Sequence, residues 1–220
     1  MLGAGTGAQA GIIYDYVGPA YDIPDGNLAG AYSQISVSGA DAPLSDITVA
    51  ISISGGYNGD LYVYLSHNGL LVPLLNRIGV SGSSAFGASG AGMNVILSDA
   101  GGLNGSIHGA GNDALSGTWQ PDGQAISPLS SPLIFSPAGG SVTLDGTFRN
   151  ADPNGTWTLF IADVSAGGGP ATVNDWSLNI TIIPEPVNAA LGGLAGVFLV
   201  VTLARSQWLR QLIQRRRGSG

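Results

Sequence analysis

The chain has 220 residues, 36 of them Gly, with no Cys, a charged fraction of 10% and a mean hydropathy of +0.27. All seven basic residues are Arg and five lie at or beyond Arg205, so the first 184 residues set two Arg against thirteen Asp, a net charge of −11. Such a balance excludes a nucleic-acid partner, which needs clustered cations, and the missing Cys excludes disulfides and thiolate metal sites.

Low charge with positive hydropathy points to many strands separated by Gly-rich turns rather than to disorder. An acidic body fits either a solvated surface or carboxylate ligands for Ca²⁺. Residues 1–11 end their Gly/Ala stretch in Ala8-Gln9-Ala10, a small-x-small form that suits either the remnant of an export signal or a plain leader. Pro24-Asp25-Gly26 is a turn, and a strand is predicted over 32–38. Over 46–54, Ile47, Val49, Ile51 and Ile53 alternate with small or polar residues, which predicts a half-buried strand. Tyr57-Asn58-Gly59 and His67-Asn68-Gly69 are turns around strands predicted at 60–66 and 70–75, so that the three runs read as an antiparallel meander. Residues 79–92 are Gly/Ser/Ala-rich and read as a mobile loop. Residues 93–97 form a short strand, and 99–113 a polar loop anchored by Leu103 and Ile107. Trp119 leads another turn and packs at the sheet edge, and 129–135 and 141–144 are short apolar pieces.

Residues 154–182 are the most informative stretch. Trp157, Leu159 and Ile161 alternate with Thr158, Phe160 and Ala162, then Trp176, Leu178, Ile180 and Ile182 alternate with Ser177, Asn179 and Thr181. Two strands joined by a long Gly-rich loop are predicted, each sending one Trp to the same buried layer. Asp163 and Asp175 flank the loop.

These residues carry a resemblance. YDIPDGNL, the 46–66 run with Gly59-Asp60-Leu61, and Gly155-Thr156-Trp157 with Asp163 and Asp175-Trp176-Ser177-Leu178 are similar to the P domain (P/Homo B domain) that accompanies subtilisin-like and kexin-like proprotein convertases. The resemblance covers residues 12–183. It implies an all-β, jelly-roll-like β-sandwich with no catalytic machinery of its own. It departs from that pattern at Ser66-His67-Asn68-Gly69 and at Gly167-Gly168-Gly169-Pro170.

Residues 184–220 are of a different kind. Pro184-Glu185-Pro186 precedes 18 uncharged residues, 187–204, and a helix of that length reaches ~27 Å, near the thickness of a bilayer core. The Arg-rich end, 205–217, closes with Arg215, Arg216 and Arg217, a positive-inside signal. The order Pro-Glu-Pro, transmembrane helix, Arg cluster resembles the PEP-CTERM sorting signal, which implies an exosortase-type processing enzyme as partner. The chain is then exported to the cell surface or medium, with the inner membrane as an intermediate. A plain membrane anchor is the other reading.

No serine-protease constellation is present: the two His, His67 and His108, fall in a turn and a polar loop, and no nucleophile elbow occurs. For Ca²⁺, Asp163 and Asp175 are candidate ligands across one loop, with Asp60 and Asp99 as further candidates; turn-capping carboxylates are the alternative. Asn150 to Gly155 has the spacing of half an EF-hand loop but ends at Ile161 where Glu is required. The expected role is structural or adhesive, in the envelope or an extracellular polysaccharide. The alternatives are an accessory module for a secreted subtilisin-like protease and a Ca²⁺-dependent glycan-binding module. Tyr57, Tyr62 and Tyr64 read either as a sugar-binding strip or as packing on a strand face.

Overall fold

The computed structural model describes residues 12–102 and 104–182, all within the first of the two units, 1–183 and 184–220, into which the chain divides. Leu103, the 1–11 leader and the whole 184–220 tail, with Pro184, Glu185, Pro186 and the Arg cluster, lie outside the described residues. Among the described residues no helix is long and apolar enough to cross a membrane.

The described chain is an all-β sandwich. Ten strands form in order: β1 Ile12–Asp15, β2 Tyr21–Ile23, β3 Asn27–Val37, β4 Leu44–Gly55, β5 Leu61–His67, β6 Leu70–Asn76, β7 Met93–Leu97, β8 Leu115–Trp119, β9 Gly155–Asp163 and β10 Ala171–Ile182. One five-residue helix, α1 (Leu144–Phe148), packs near β4 and β6. The first sheet runs β1-β10-β4-β7-β8, with β2 also on β10, and the second runs β3-β9-β5-β6. All pairs are antiparallel except β7 with β8.

The alternation in the sequence becomes the two inner faces. Along β4, Ile47, Val49, Ile51 and Ile53 are buried, and along β5 Leu61, Val63 and Leu65 join them in the same core. Trp157 on β9 and Trp176 on β10 are the largest fully buried side chains, in one core as expected. Each contributes of order 2–3 kcal/mol through apolar burial, provided its N–H finds an acceptor. Both do: Trp157 Nε1 donates to Pro153 O at 2.9 Å, and Trp176 Nε1 donates to Ser33 Oγ at 2.8 Å. The second bond ties one sheet to the other.

Several expectations need correction. Residues 46–75 are not one meander: β5 and β6 pair, but β4 lies in the opposite sheet. Gly55 and Gly56, at φ 74° and 62°, carry the chain across, and a Cβ on Gly55 would stand 2.5 Å from Pro170 O, so only Gly makes this crossing without strain. The long loop between β9 and β10, as predicted a connection of two strands, likewise crosses between sheets. The apolar piece 129–135 is a surface turn that buries Phe135 and leaves Leu129 and Leu133 exposed. The 79–92 segment is pinned down: Asn58 N donates to Gly90 O, Gly59 N to Ala88 O, and Ala88 N to Ile78 O, all at 2.8 Å.

Candidate functional site

One end of the sandwich gathers three carboxylates. Asp60 closes the tight turn Asn58–Asp60 that starts β5. Gly59 is required there because a Cβ would stand 2.6 Å from both Ala88 N and Phe86 O. Asp163 ends β9 directly opposite Leu61 on one side and Asn27 on the other. Val164 N donates to Asp60 O at 2.9 Å, and Ser165 N to Asp163 Oδ1 at 3.1 Å. Asp25, from the Pro-Asp-Gly turn, accepts Gly167 N at 3.2 Å and completes the group. A pocket of about 250 Å³ opens beside it, lined by Tyr57, Asp60, Phe86 and Ser165.

The electrostatics of this end are unsatisfied. Asp163 is fully buried and its Oδ2 has no hydrogen-bond partner. Burial pushes its carboxyl above the usual carboxylate range and the Ser165 N–H draws it back, while the Asp25 charge pushes it up and the Gly26 N–H draws it down. Asp60 is 5% exposed. Burial, then the Asp163 charge, raise it to about 6 despite the pull of Arg77. Arg77 does not neutralise the pair, because its guanidinium donates to the carbonyls of Gly59, Pro128 and Ala85. Asn58 adds a second buried oxygen, Oδ1, without a donor.

Of the four expected ligands, the structure brings Asp163 to Asp60 and separates both from the others. Asp175 is exposed on the other sheet, opposite Ser52 and just past a bulge in β10. Asp99 accepts Leu144 N at 2.9 Å and Asp145 N at 2.7 Å, and so caps the first turn of α1. Asp46 and Asp145 lie near it; burial and then these neighbours push Asp46 upward, and Arg149, 3.1 Å from Asp145, pulls it back. Sequence reasoning treated Asp25 only as turn punctuation, and nothing local marks it as the third carboxylate. Among the described residues no three acidic or imidazole groups converge closely enough to hold a metal unaided. A cation at Asp60 and Asp163 therefore needs backbone or water oxygens as well.

Both His are committed to structure. His108 Nδ1 donates to Asp122 Oδ2 at 2.7 Å and Nε2 to Val80 O at 2.8 Å, with the ring 1% exposed. Burial lowers its pKa, but the bond to and charge of Asp122, with the Val80 carbonyl, outweigh that and raise it. His67 is buried against Trp157, ring to ring at 4.0 Å, with Nδ1 at 3.1 Å from Thr156 O and Nε2 at 2.8 Å from Asp152 O. Neither ring has a nitrogen left over for a general base.

No protein-family model matches the chain, and no curated protein does. Two solved structures of the Aeromonas sobria serine protease, one of them in complex with the chaperone ORF2, align over 77% of this chain at 16% and 15% identity, each with a TM-score of 0.41. The aligned part is 26% of each protease chain, so this chain spans about a quarter of their length.

Proposed function

We propose that this chain is an exported, non-catalytic β-sandwich module of the envelope or extracellular matrix, stiffened by Ca²⁺ at its Asp60–Asp163 end and delivered by its C-terminal sorting tail. The observation that carries the cation is Asp163 Oδ2, a fully buried carboxylate oxygen without a donor, beside a second carboxylate whose pKa is raised. An uncompensated buried charge is costly, and Ca²⁺ prefers oxygen ligands of this kind; extracellular modules bind it at roughly 10⁻⁴–10⁻³ M. The Asp163 and Asp60 carboxylates would hold the ion, and its charge would hold together the β2–β3 turn, the start of β5 and the loop after β9.

Thermal melts test this. Millimolar Ca²⁺ raises the melting temperature of the full-length protein and of Asp175→Asn, by an amount equivalent to about 1–3 kcal/mol, and leaves Asp163→Asn unmoved. An equal rise in Asp163→Asn overturns the site.

A second reading, an accessory module for a secreted subtilisin-like protease, is supported by the P-domain motif residues: Gly59-Asp60-Leu61 and Gly155-Thr156-Trp157 open β5 and β9, which pair directly. Purification from the host's medium separates the readings. A chain whose mass ends near residue 184, free of protease activity, supports matrix delivery. A co-purifying serine protease activity supports the accessory role, and a full-length chain confined to the inner membrane refutes sorting.

A further inference from the structure

The outward face of the β3-β9-β5-β6 sheet carries a row of rings on three adjacent strands. Register places Tyr32 opposite Phe160 and Phe160 opposite Tyr64. Tyr64 and Phe160 stack at 4.7 Å with 19° between their planes, and Tyr62 follows at 5.9 Å. Tyr32 is 68% exposed. The row is built rather than incidental: at Gly30 a Cβ would run into the Ile161 carbonyl and stand 2.9 Å from Phe160 Cζ, so this glycine, at φ 57°, lets the Phe160 ring lie across β3. Beside the rings runs a polar row, Gln34, Thr158 and Ser66, with Gln34 Nε2 donating to Thr158 Oγ1 at 3.1 Å.

Charge decides what this face suits. The body carries thirteen Asp, yet the only Asp or Arg in these four strands is Asp163, which points inward. A neutral face on a strongly acidic body disfavours a polyanion and offers nothing to a polycation. A second copy of the chain is disfavoured by area: of the rings only Tyr32 is strongly exposed, Leu71 opposite Ser66 adds one partly exposed aliphatic side chain, and the neighbouring row is polar, whereas a stable dimer buries ~800 Å² per partner. Neutral polysaccharide matches both rows, since the apolar face of a sugar ring packs on an aromatic ring while its hydroxyls exchange hydrogen bonds with amide and hydroxyl side chains. Three strands at ~4.8 Å spacing set the row at about 10 Å, the length of a disaccharide. We infer that Tyr32, Phe160 and Tyr64, flanked by Gln34, Thr158 and Ser66, form a binding platform for a neutral polysaccharide.

The test is affinity electrophoresis of the full-length protein in native gels cast with dextran, mixed-linkage β-glucan or galactomannan, and with alginate as the anionic counterpart. A polyoxyethylene detergent keeps sugar headgroups out of the experiment. At least one neutral polymer is expected to retard the protein and alginate to have no effect. Tyr32→Ala weakens the retardation about tenfold or more, Tyr32→Trp preserves it, and neither moves the melting temperature because the side chain lies outside the core. No retardation by any neutral polymer overturns the inference. So does retardation that survives Tyr32→Ala, or a dimer by sedimentation that Tyr32→Ala dissolves, which assigns the face to self-association. Asp163→Asn retains glycan binding, so failure of the cation site and failure of this platform are read separately.

Discussion

The sandwich contains two buried polar centres that solve opposite problems. At the His108–Asp122 centre every oxygen of the carboxylate is used: Oδ2 accepts from His108 Nδ1 and Asn76 N, and Oδ1 from Gln124 N and Gln124 Nε2. An imidazole, two backbone amides and a side-chain amide close around one anion. At the Asp60–Asp163 centre, two carboxylates share a space with no side-chain cation paired to them among the described residues, and one oxygen has no donor. A buried charge with complete partners is a fastener; one without them is open to a ligand. Burial alone does not distinguish the two, because both pairs are buried.

Breaking the complete centre gives the largest effect. Asp122→Ala leaves the His108 imidazole and three N–H donors buried without an acceptor, and costs about 3–5 kcal/mol in urea unfolding. A loss below 1 kcal/mol removes the contrast. Titration gives the next effect and divides it between the centres. In cation-free buffer the folded-state pKa of Asp60, about 6, lies above the ordinary 3.8, so the folded state holds its proton more tightly. Its contribution is fully present below the unfolded pKa and is lost as pH rises from about 4 through 6, by at most about 3 kcal/mol and by less where solvent screens the pair. His108 is also raised, so its contribution is present below 6.5 and lost as pH climbs through its higher folded value. Unfolding midpoints across pH 4–9 therefore fall in two stages. Asp60→Asn shrinks the acidic stage, to which the raised Asp163 and Asp46 carboxyls also contribute, and spares the later one; an unchanged acidic stage in that variant refutes its assignment.

Most of the strand content was legible because period-two alternation is a local property. Ile47 to Ile53, Leu61 to Leu65, Trp157 to Ile161 and Trp176 to Ile182 each declare an inner face without reference to any neighbour. Which sheet each strand joins is not local. Nothing near Gly55-Gly56 distinguishes a hairpin from a crossing, and the parallel β7–β8 pair joins strands with a long polar segment between them. Part of the site was more legible than its expected pairing. The alternation that buries Trp157, Leu159 and Ile161 on β9 also sends Asp163 inward, and the one that buries Trp176 on β10 sends Asp175 outward. Asp25 had no such signal, since its place beside Asp163 depends on how the β2–β3 turn docks. The aromatic row was half visible in Tyr62 and Tyr64, while Tyr32 and Phe160 joined it only through strand order.

The positions of β9 and β10 have a consequence for when this protein can fold. Each lies inside its sheet, β9 between β3 and β5 and β10 between the β1/β2 edge and β4. They are also the last two of the ten strands among the described residues. Until residues 155–182 have been synthesised, both sheets lack an interior strand at once, and the earlier strands have no native partner across the gap. Assembly therefore cannot be completed strand by strand behind a growing chain. The β5–β6, β4–β7 and β7–β8 pairs need no residue beyond 119, but both layers close only when residues 155–182 arrive, through long-range pairings that are slow to form.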